Sequence, residues 1–359
     1  MIRLEPRGRV GPGLAVGVPA AAAVAALLLA AVPLAISGVP VGRAFALMAE
    51  GAAGSVFALT ETLTRATPLV FTGLAAAVAF RARLWNIGAE GQLYAGALAA
   101  VALGAGALQL PPLLLIPAVC LAGLLAGAVM MLVPTLLKTR FGVDEVVTTL
   151  LSNFIVILFV SMMLDGPMKD PMGGGWPQSA PILVEAELPR LVAQTRLHAG
   201  LLLGIACAVL VWALDRYTVW GFEARAVGLN PAAARFAGIR VEATFVRVGL
   251  LSGALAGLAG VSEVIGLKGY VTQDLSPGFG YTGIVVAMLA MLNPLGVLVA
   301  ALFLAGVFVG ADTMGRTLGV SSYIANLIVA LSLLSMLVGQ LFLQWRVVWR
   351  RAPAAGARP

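Results

Sequence analysis

Apolar runs of about twenty residues recur along this chain, and they restrict its fold more than any other feature. "LAVGVPAAAAVAALLLAAVPLAI" (14–36) and "PPLLLIPAVCLAGLLAGAVMMLVP" (111–134) contain no ionisable side chain apart from a cysteine thiol. A helix needs roughly 20 such residues to cross a hydrocarbon core. Over 359 residues, 60% are hydrophobic and only 11% charged. A soluble domain has roughly a quarter of its residues charged, so this chain has too little polar surface to stay in water. The fold class is all-α: a polytopic helical membrane protein forming one transmembrane domain over residues 1–359.

Ten spanning or partly spanning segments are predicted, at 14–36, 67–80, 92–108, 111–134, 145–164, 198–215, 246–266, 281–292, 295–311 and 322–343. The first follows a basic stretch and has the flanks of a signal peptide. It lacks a small-x-small cleavage site followed by a polar mature domain, so it is read as a spanning helix. The net charge is +7, and basic residues cluster in tails and loops: Arg3, Arg7 and Arg9; Lys138 and Arg140; the stretch Arg216–Arg247; and Arg346, Arg350, Arg351 and Arg358. Basic loops and tails mark the cytoplasmic side, so both termini and the 216–247 loop are expected there, and nucleic acid is not an expected partner. Residues 165–197, rich in Pro and Gly, are expected to form an external loop that caps or gates. His198 is the single histidine and Cys120 and Cys207 lie in separate apolar runs, so no metal site or disulfide is expected.

"RLWNIGAEGQLYAG" (83–96) departs from its apolar surroundings. Two predicted segments, 67–80 and 281–292, are shorter than a span, and each adjoins a glycine-rich polar patch: "WNIGAEGQ" after the first and "GYVTQDLSPGFG" (269–280) before the second. Interrupted segments placed comparably in two halves of a transporter point to its pathway. Non-helical backbone at membrane depth is tolerated only against protein or a water-filled cavity. Arg81 and Arg83 draw residues 84–92 to the inner surface, whereas a re-entrant placement would dip them in from outside. Orientation alone does not separate the two. Trp85, Asn86, Glu90, Gln92, Tyr94 and Asn153 are the candidate pathway residues. Their amides and carboxylate suit ribose hydroxyls or base edges, and their rings suit base stacking. Alternatively Asn86, Glu90 and Gln92 hold a broken helix in shape. Glu263 and Asp312 also fall within apolar runs, where an ionisable group is costly and should face a cavity or a partner. For Glu263 the small residues nearby favour helix packing.

The insertion at 215–247 contains "NPAAARFAG". Asn230 is a helix cap and Pro231 a first helical residue, with Gly238 as the stop. A helix of about two turns is unstable alone. It either docks into a partner or lies on anionic headgroups.

"FEARAVGLNPAAARFAGI" (222–239) resembles the cytoplasmic loop of ABC-importer permeases in the simple-sugar and nucleoside branch. "WNIGAEGQLYAGALAA" (85–100) is similar to the NIG-x-EGQ signature of the nucleoside permeases, with Trp85 where Phe is common. "GVDEVVTTLLSNFIV" (142–156) and "GFGYTGIVVAMLAMLNPLG" (278–296) resemble two further stretches of the same family in the same order. The resemblance covers roughly residues 60–340. It implies a multi-pass permease of the bacterial inner membrane that imports a nucleoside by alternating access, with simple sugars or other purine-related compounds as alternatives. It further implies a second, related permease in a heterodimer, a cytoplasmic ATPase that binds ATP and Mg, and an external substrate-binding lipoprotein of the BMP type. Glu223, Arg225, Gly228, Asn230, Arg235 and Gly238 would carry the coupling to the ATPase. No cofactor and no catalytic residue are expected in this chain. None of its three lysines, Lys138, Lys169 and Lys268, follows a phosphate-binding glycine run. An ion-coupled carrier would need buried carboxylates paired with histidine or lysine, and a membrane enzyme a clustered acid–base or metal set.

Overall fold

The computed structural model describes residues 2–6, 11–36, 38–321 and 323–349. Arg7, Arg9, Arg350, Arg351 and Arg358 of the basic tails lie outside them. The helices in order are α1 (Pro12–Ile36), α2 (Val41–Ala53), α3 (Val56–Arg81), α4 (Ala89–Gly104), α5 (Pro112–Phe141), α6 (Glu145–Asp165) and α7 (Gly200–Tyr217). They continue with α8 (Val219–Leu229), α9 (Pro231–Phe236), α10 (Val241–Glu263), α11 (Phe279–Leu289), α12 (Pro294–Leu318) and α13 (Ile324–Gln344). Among the described residues, seven helices are long and apolar enough to cross a membrane. All ten predicted segments fall on helices. A short antiparallel ribbon, β1 (Ile2–Pro6) with β2 (Trp345–Trp349), was not foreseen; it pairs residues 2–6 with residues 345–349.

One expectation is corrected and one helix was missed. The segment expected at 67–80 is the second half of α3, which begins at Val56 and is long enough to span. Thr60, Glu61, Thr62, Thr64 and Arg65 concealed its first half. The threonines satisfy their hydroxyls on backbone carbonyls: Thr64 donates to Thr60 O at 2.8 Å, Thr67 to Leu63 O at 3.1 Å and Thr72 to Pro68 O at 3.0 Å. Hydroxyls bonded one turn back let a polar sequence stay helical inside the bundle. Helix α2 was not predicted at all, because Arg43 and Glu50 interrupt its apolar pattern. The short segment at 281–292 does correspond to a short helix, α11, of 11 residues.

Helix α10 is the axis of the bundle, buried along most of its length and packed on α3, α4 and α5. The packing is backbone against backbone. A Cβ at Gly257 would overlap the Gly123 carbonyl, one at Gly127 the Gly253 carbonyl, one at Gly96 the Gly257 carbonyl and one at Gly260 the Leu93 carbonyl. Lipid tails are as apolar as leucine, so helices in a membrane associate through close van der Waals contact, which small residues permit. Beyond Glu263 the chain makes a π-helical turn, Val264–Lys268. The 166–199 stretch folds over that end of the bundle. Leu188 N–H donates to Ile265 O at 2.7 Å, Ile182 N–H to Gly269 O at 2.8 Å and Leu183 N–H to Gly104 O at 2.8 Å.

Replacing Gly257 by Val is expected to lower the thermal midpoint of the detergent-solubilised protein by several degrees or to prevent its folding, since overpacking costs about 1–3 kcal/mol or more. Gly42→Ala, where an added Cβ meets nothing, serves as the control. A Gly257→Val protein that melts with the wild type would disprove the backbone contact.

Candidate functional site

The α3–α4 break at residues 82–88 frees backbone groups that the bundle must satisfy. Helix α6 supplies a ladder of acceptors four residues apart, which places them on one helical face. Glu145 Oε1 accepts from Trp85 N–H at 3.2 Å, Thr149 Oγ1 from Ile87 N–H at 3.2 Å and Asn153 Oδ1 from Gly91 N–H at 2.8 Å. Asn153 Nδ2 donates back to Ile87 O at 2.9 Å and to the Tyr281 hydroxyl at 3.1 Å. Asn86 bridges inward, donating to Gln92 Oε1 and Ser252 Oγ, each at 2.9 Å, and accepting from Gly88 N–H at 2.9 Å. Gln92 Nε2 returns a bond to Asn86 Oδ1 at 3.0 Å. The amide groups of Asn86, Gln92 and Asn153 are thus buried and bonded to their own chain.

The same segment gathers the second glycine-rich patch. Gly280 N–H donates to Glu90 Oε2 at 2.6 Å, so the carboxylate sits at the N-terminus of α11, where the helix dipole favours negative charge. The Tyr94 hydroxyl donates to Gln273 O at 2.6 Å and accepts from Ser276 N–H at 3.2 Å. The two patches that the sequence separates by almost two hundred residues are therefore one structural unit. Trp85 stands apart from it: the side chain is exposed, its ring edge-on to Phe80 with centroids 4.8 Å apart.

At the near end of the bundle, Asp215 closes α7 and holds two arginines, Arg81 at the end of α3 and Arg225 on α8; Arg225 Nη1 lies 2.7 Å from Asp215 Oδ1. Arg81 also donates to Leu292 O at 2.7 Å, reaching the turn between α11 and α12. These contacts set residues 81–88 beside the start of the 215–247 insertion, so the break belongs to that surface and does not dip in from the opposite one. Asn230 caps α9 by accepting from Ala232 and Ala233 N–H at 3.0 and 3.1 Å, and Gly238 turns the chain with φ +84°. Glu223 pairs with Arg247 and Arg235 with Glu242. Gly228 packs on the Arg81 carbonyl, where any side chain would overlap it. Arg225 and Gly228 therefore face their own chain, whereas Leu229 and Phe236 (96% exposed) face outward.

At the far end lie two adjoining cavities of about 860 and 660 Å³, which share Arg65, Arg196 and Leu267 in their walls. Arg190, Lys268 and Asp274 line the first; Glu61, Glu263 and Asp312 line the second. None of Trp85, Asn86, Glu90, Gln92, Tyr94 and Asn153 lines either cavity. Sequence reasoning singled out Glu263 and Asp312 but missed Glu61 and Arg65. Their spacing of four residues, repeated one turn apart in "TETLTRATP", was the available signal. Beside the chamber, His198 is fully buried. Its Nδ1 accepts from Gly200 N–H at 3.2 Å, which assigns the proton to Nε2, and Nε2 has no partner among the described residues. Burial pushes its pKa down to about 4. Among the described residues no group of three or more His, Cys, Asp or Glu could hold a metal ion, and both cysteines are free thiols.

A multi-pass helical bundle with a broken-helix core and a charged chamber is the architecture of a membrane permease. The chain belongs to the family described as branched-chain amino acid transport system / permease component, which matches residues 58–343. It is a permease subunit of an ABC transporter and a multi-pass inner-membrane protein. Among curated relatives, it is 36% identical to a glucose ABC transporter permease of Haloferax volcanii, over 96% of this chain and 93% of the relative. A guanosine ABC transporter permease of Bacillus subtilis is 33% identical, over 88% of this chain and 91% of its own length. A nucleoside ABC transporter permease of Lactococcus lactis is 34% identical, over 73% of this chain and 74% of its own. No solved structure matches the chain significantly.

His198 is neutral in the fold down to about pH 4, while in the unfolded chain it takes up a proton near pH 6.5. Between these values the unfolded state binds more protons, so stability falls as pH drops from 6.5 to 4, by up to ~3 kcal/mol. Thermal unfolding of wild type and His198→Asn at pH 7.5, 5.5 and 4.5 should show a smaller loss in the variant. Parallel pH profiles would contradict it.

Proposed function

We propose that this chain forms one half of the translocation pathway of an ATP-driven importer for nucleosides. The observation that carries this reading is the charged chamber on the opposite end of the bundle from the 215–247 insertion. Arg65 and Arg81 mark those two ends on one helix, roughly 24 Å apart at 1.5 Å per residue. The chamber end would face outward and receive the solute from an external binding lipoprotein, with 165–197 folded over it. The end rich in arginine would be cytoplasmic, with both chain termini, in keeping with the positive-inside rule. There α9 would dock on a cytoplasmic ATPase that binds ATP and Mg, with Phe236 as the outward apolar contact. A second, related permease would complete the pathway. The resemblance of "WNIGAEGQLYAG" and the guanosine and nucleoside relatives favour nucleosides. A second reading, simple-sugar import, is favoured by the identity to the glucose permease over almost the whole chain.

Asp215 would transmit the motion: through Arg225 it holds the docking loop, and through Arg81 it holds α3 and the α11–α12 turn. Alternating access then requires rigid-body movement rather than chemistry.

Proteoliposomes holding the permease pair, ATPase and binding protein should take up labelled guanosine or adenosine in an ATP-dependent manner that resists an uncoupler. Uptake of glucose with neither nucleoside would replace the nucleoside reading with the sugar one. Phe236→Ala should reduce co-purification of the ATPase at least fivefold while leaving the permease in the membrane. Undiminished co-purification would exclude α9 as the docking element.

A further inference from the structure

We infer that Arg65 is the residue by which the permease recognises its solute, and that it selects a 6-oxopurine edge. This rests on the nucleoside reading above. Arg65 lies in the first half of α3, a spanning helix, and lines both cavities. An arginine within a membrane helix is costly and ordinarily pairs with a carboxylate or a backbone carbonyl. Among the described residues this one makes no hydrogen bond and no ion pair. Glu263 is within electrostatic reach but not within bonding distance. The contacts that hold the guanidinium are two rings, Phe279 with its centroid at 5.4 Å and Phe308 at 5.7 Å.

Ring faces attract the cation and fix its plane without using its N–H groups. All five donors therefore remain for whatever enters the chamber, and the fork has no acceptor. A donor-only fork fits two acceptors side by side, as on the O6/N7 edge of guanine or hypoxanthine. On the same edge adenine offers one acceptor and one N–H, so one pairing turns into donor facing donor. The hydroxyls of a hexose present no such planar pair. Glu263 and Asp312, which also line the second cavity, remain as acceptors for base N–H or ribose hydroxyl groups.

The broken-helix unit takes part at one remove. Phe279, one of the two rings, is the first residue of α11, and its neighbour Gly280 is held by Glu90. Tyr94 anchors the preceding turn through Gln273 and Ser276. Glu90 and Tyr94 are thus positioning residues for the ring beneath Arg65.

The test is competitive uptake of guanosine and adenosine in the complete reconstituted transporter, comparing wild type with Arg65→Lys. ATPase and binding protein stay constant, so any change in preference belongs to the permease. Lysine keeps the charge but loses the planar fork. The guanosine-to-adenosine ratio is expected to fall by about tenfold, within the range for a bidentate arginine–guanine contact, with adenosine uptake little changed. A ratio that holds, or a wild-type ratio near one, overturns the assignment while leaving nucleoside import standing. Glucose uptake with neither nucleoside overturns both. A second measurement uses the wild-type complex without binding protein, so that it stands even where the variant fails to assemble. Millimolar guanosine should raise its thermal midpoint more than 7-deazaguanosine, which lacks the N7 acceptor. Equal shifts, or none, refute the assignment.

Discussion

A membrane protein cannot leave backbone groups unbonded in its interior, and the α3–α4 break is where this chain meets that demand. Seven residues without helical structure run between two buried helices. The N–H groups of Ala82, Arg83, Leu84 and Asn86 find backbone carbonyls, those of Trp85 and Ile87 are taken up by Glu145 and Thr149 on α6, that of Gly88 by Asn86 within the break, and that of Gly91 in the first turn of α4 by Asn153. Each bond matters because the alternative is an unsatisfied group in a low dielectric, which costs several times what the bond contributes in water. Once the break is fixed, so is the start of α4. Glu90 and Tyr94 then stand where α11 and its preceding turn must join. Polar residues in this segment therefore determine the placement of a distant apolar helix.

The α6 ladder was legible only in hindsight. Glu145, Thr149 and Asn153 are spaced by four in "DEVVTTLLSNF", but each has an ordinary local explanation: a residue of the first helical turn, a threonine bonding back along its helix, a lone amide. Nothing in the sequence says that the face they share meets residues 85–91. The spans themselves, the α9 cap at Asn230 and the Gly238 stop were readable because they depend on local rules. Helix α2 and the first half of α3 were not. Arg43, Glu50, Glu61 and Arg65 break the apolar pattern, and for Glu50, Glu61 and Arg65 the justification is a cavity made by elements far away in sequence. The chamber residues were hidden for the same reason that they matter: charge inside a membrane segment looks like the end of that segment.

Two sides of α10 behave differently under load. Toward α4 and α5 much of the contact is carbonyl against glycine, with side chains such as Val261 and Thr135 filling in, so those helices form a tight block. On its other side α10 packs against α3, where Ser252 Oγ donates to Ala75 O at 2.7 Å, and the second cavity opens between α2, α3, α12 and the end of α10 at Glu263. Rigid-body switching needs such an asymmetry, a solid block against which a lighter group can shift, because packed interfaces hold discrete arrangements and do not deform smoothly.

Helix α3 connects the two ends of that lighter group. Arg65 faces the chamber and Arg81 the Asp215 pair, and in the intervening turns Thr67 and Thr72 satisfy their hydroxyls on the helix's own carbonyls. Asp215 is thus linked through Arg81 to the end of α3, the helix that carries Arg65, with Pro68 between the two arginines. Phe279 follows a separate route, through α11 and the Leu292 carbonyl that Arg81 also holds. The guanidinium and one of its rings are thus tied to the same arginine at the opposite end of the bundle. A change in that pairing would alter the recognition geometry in the chamber without any signal crossing the glycine-packed block.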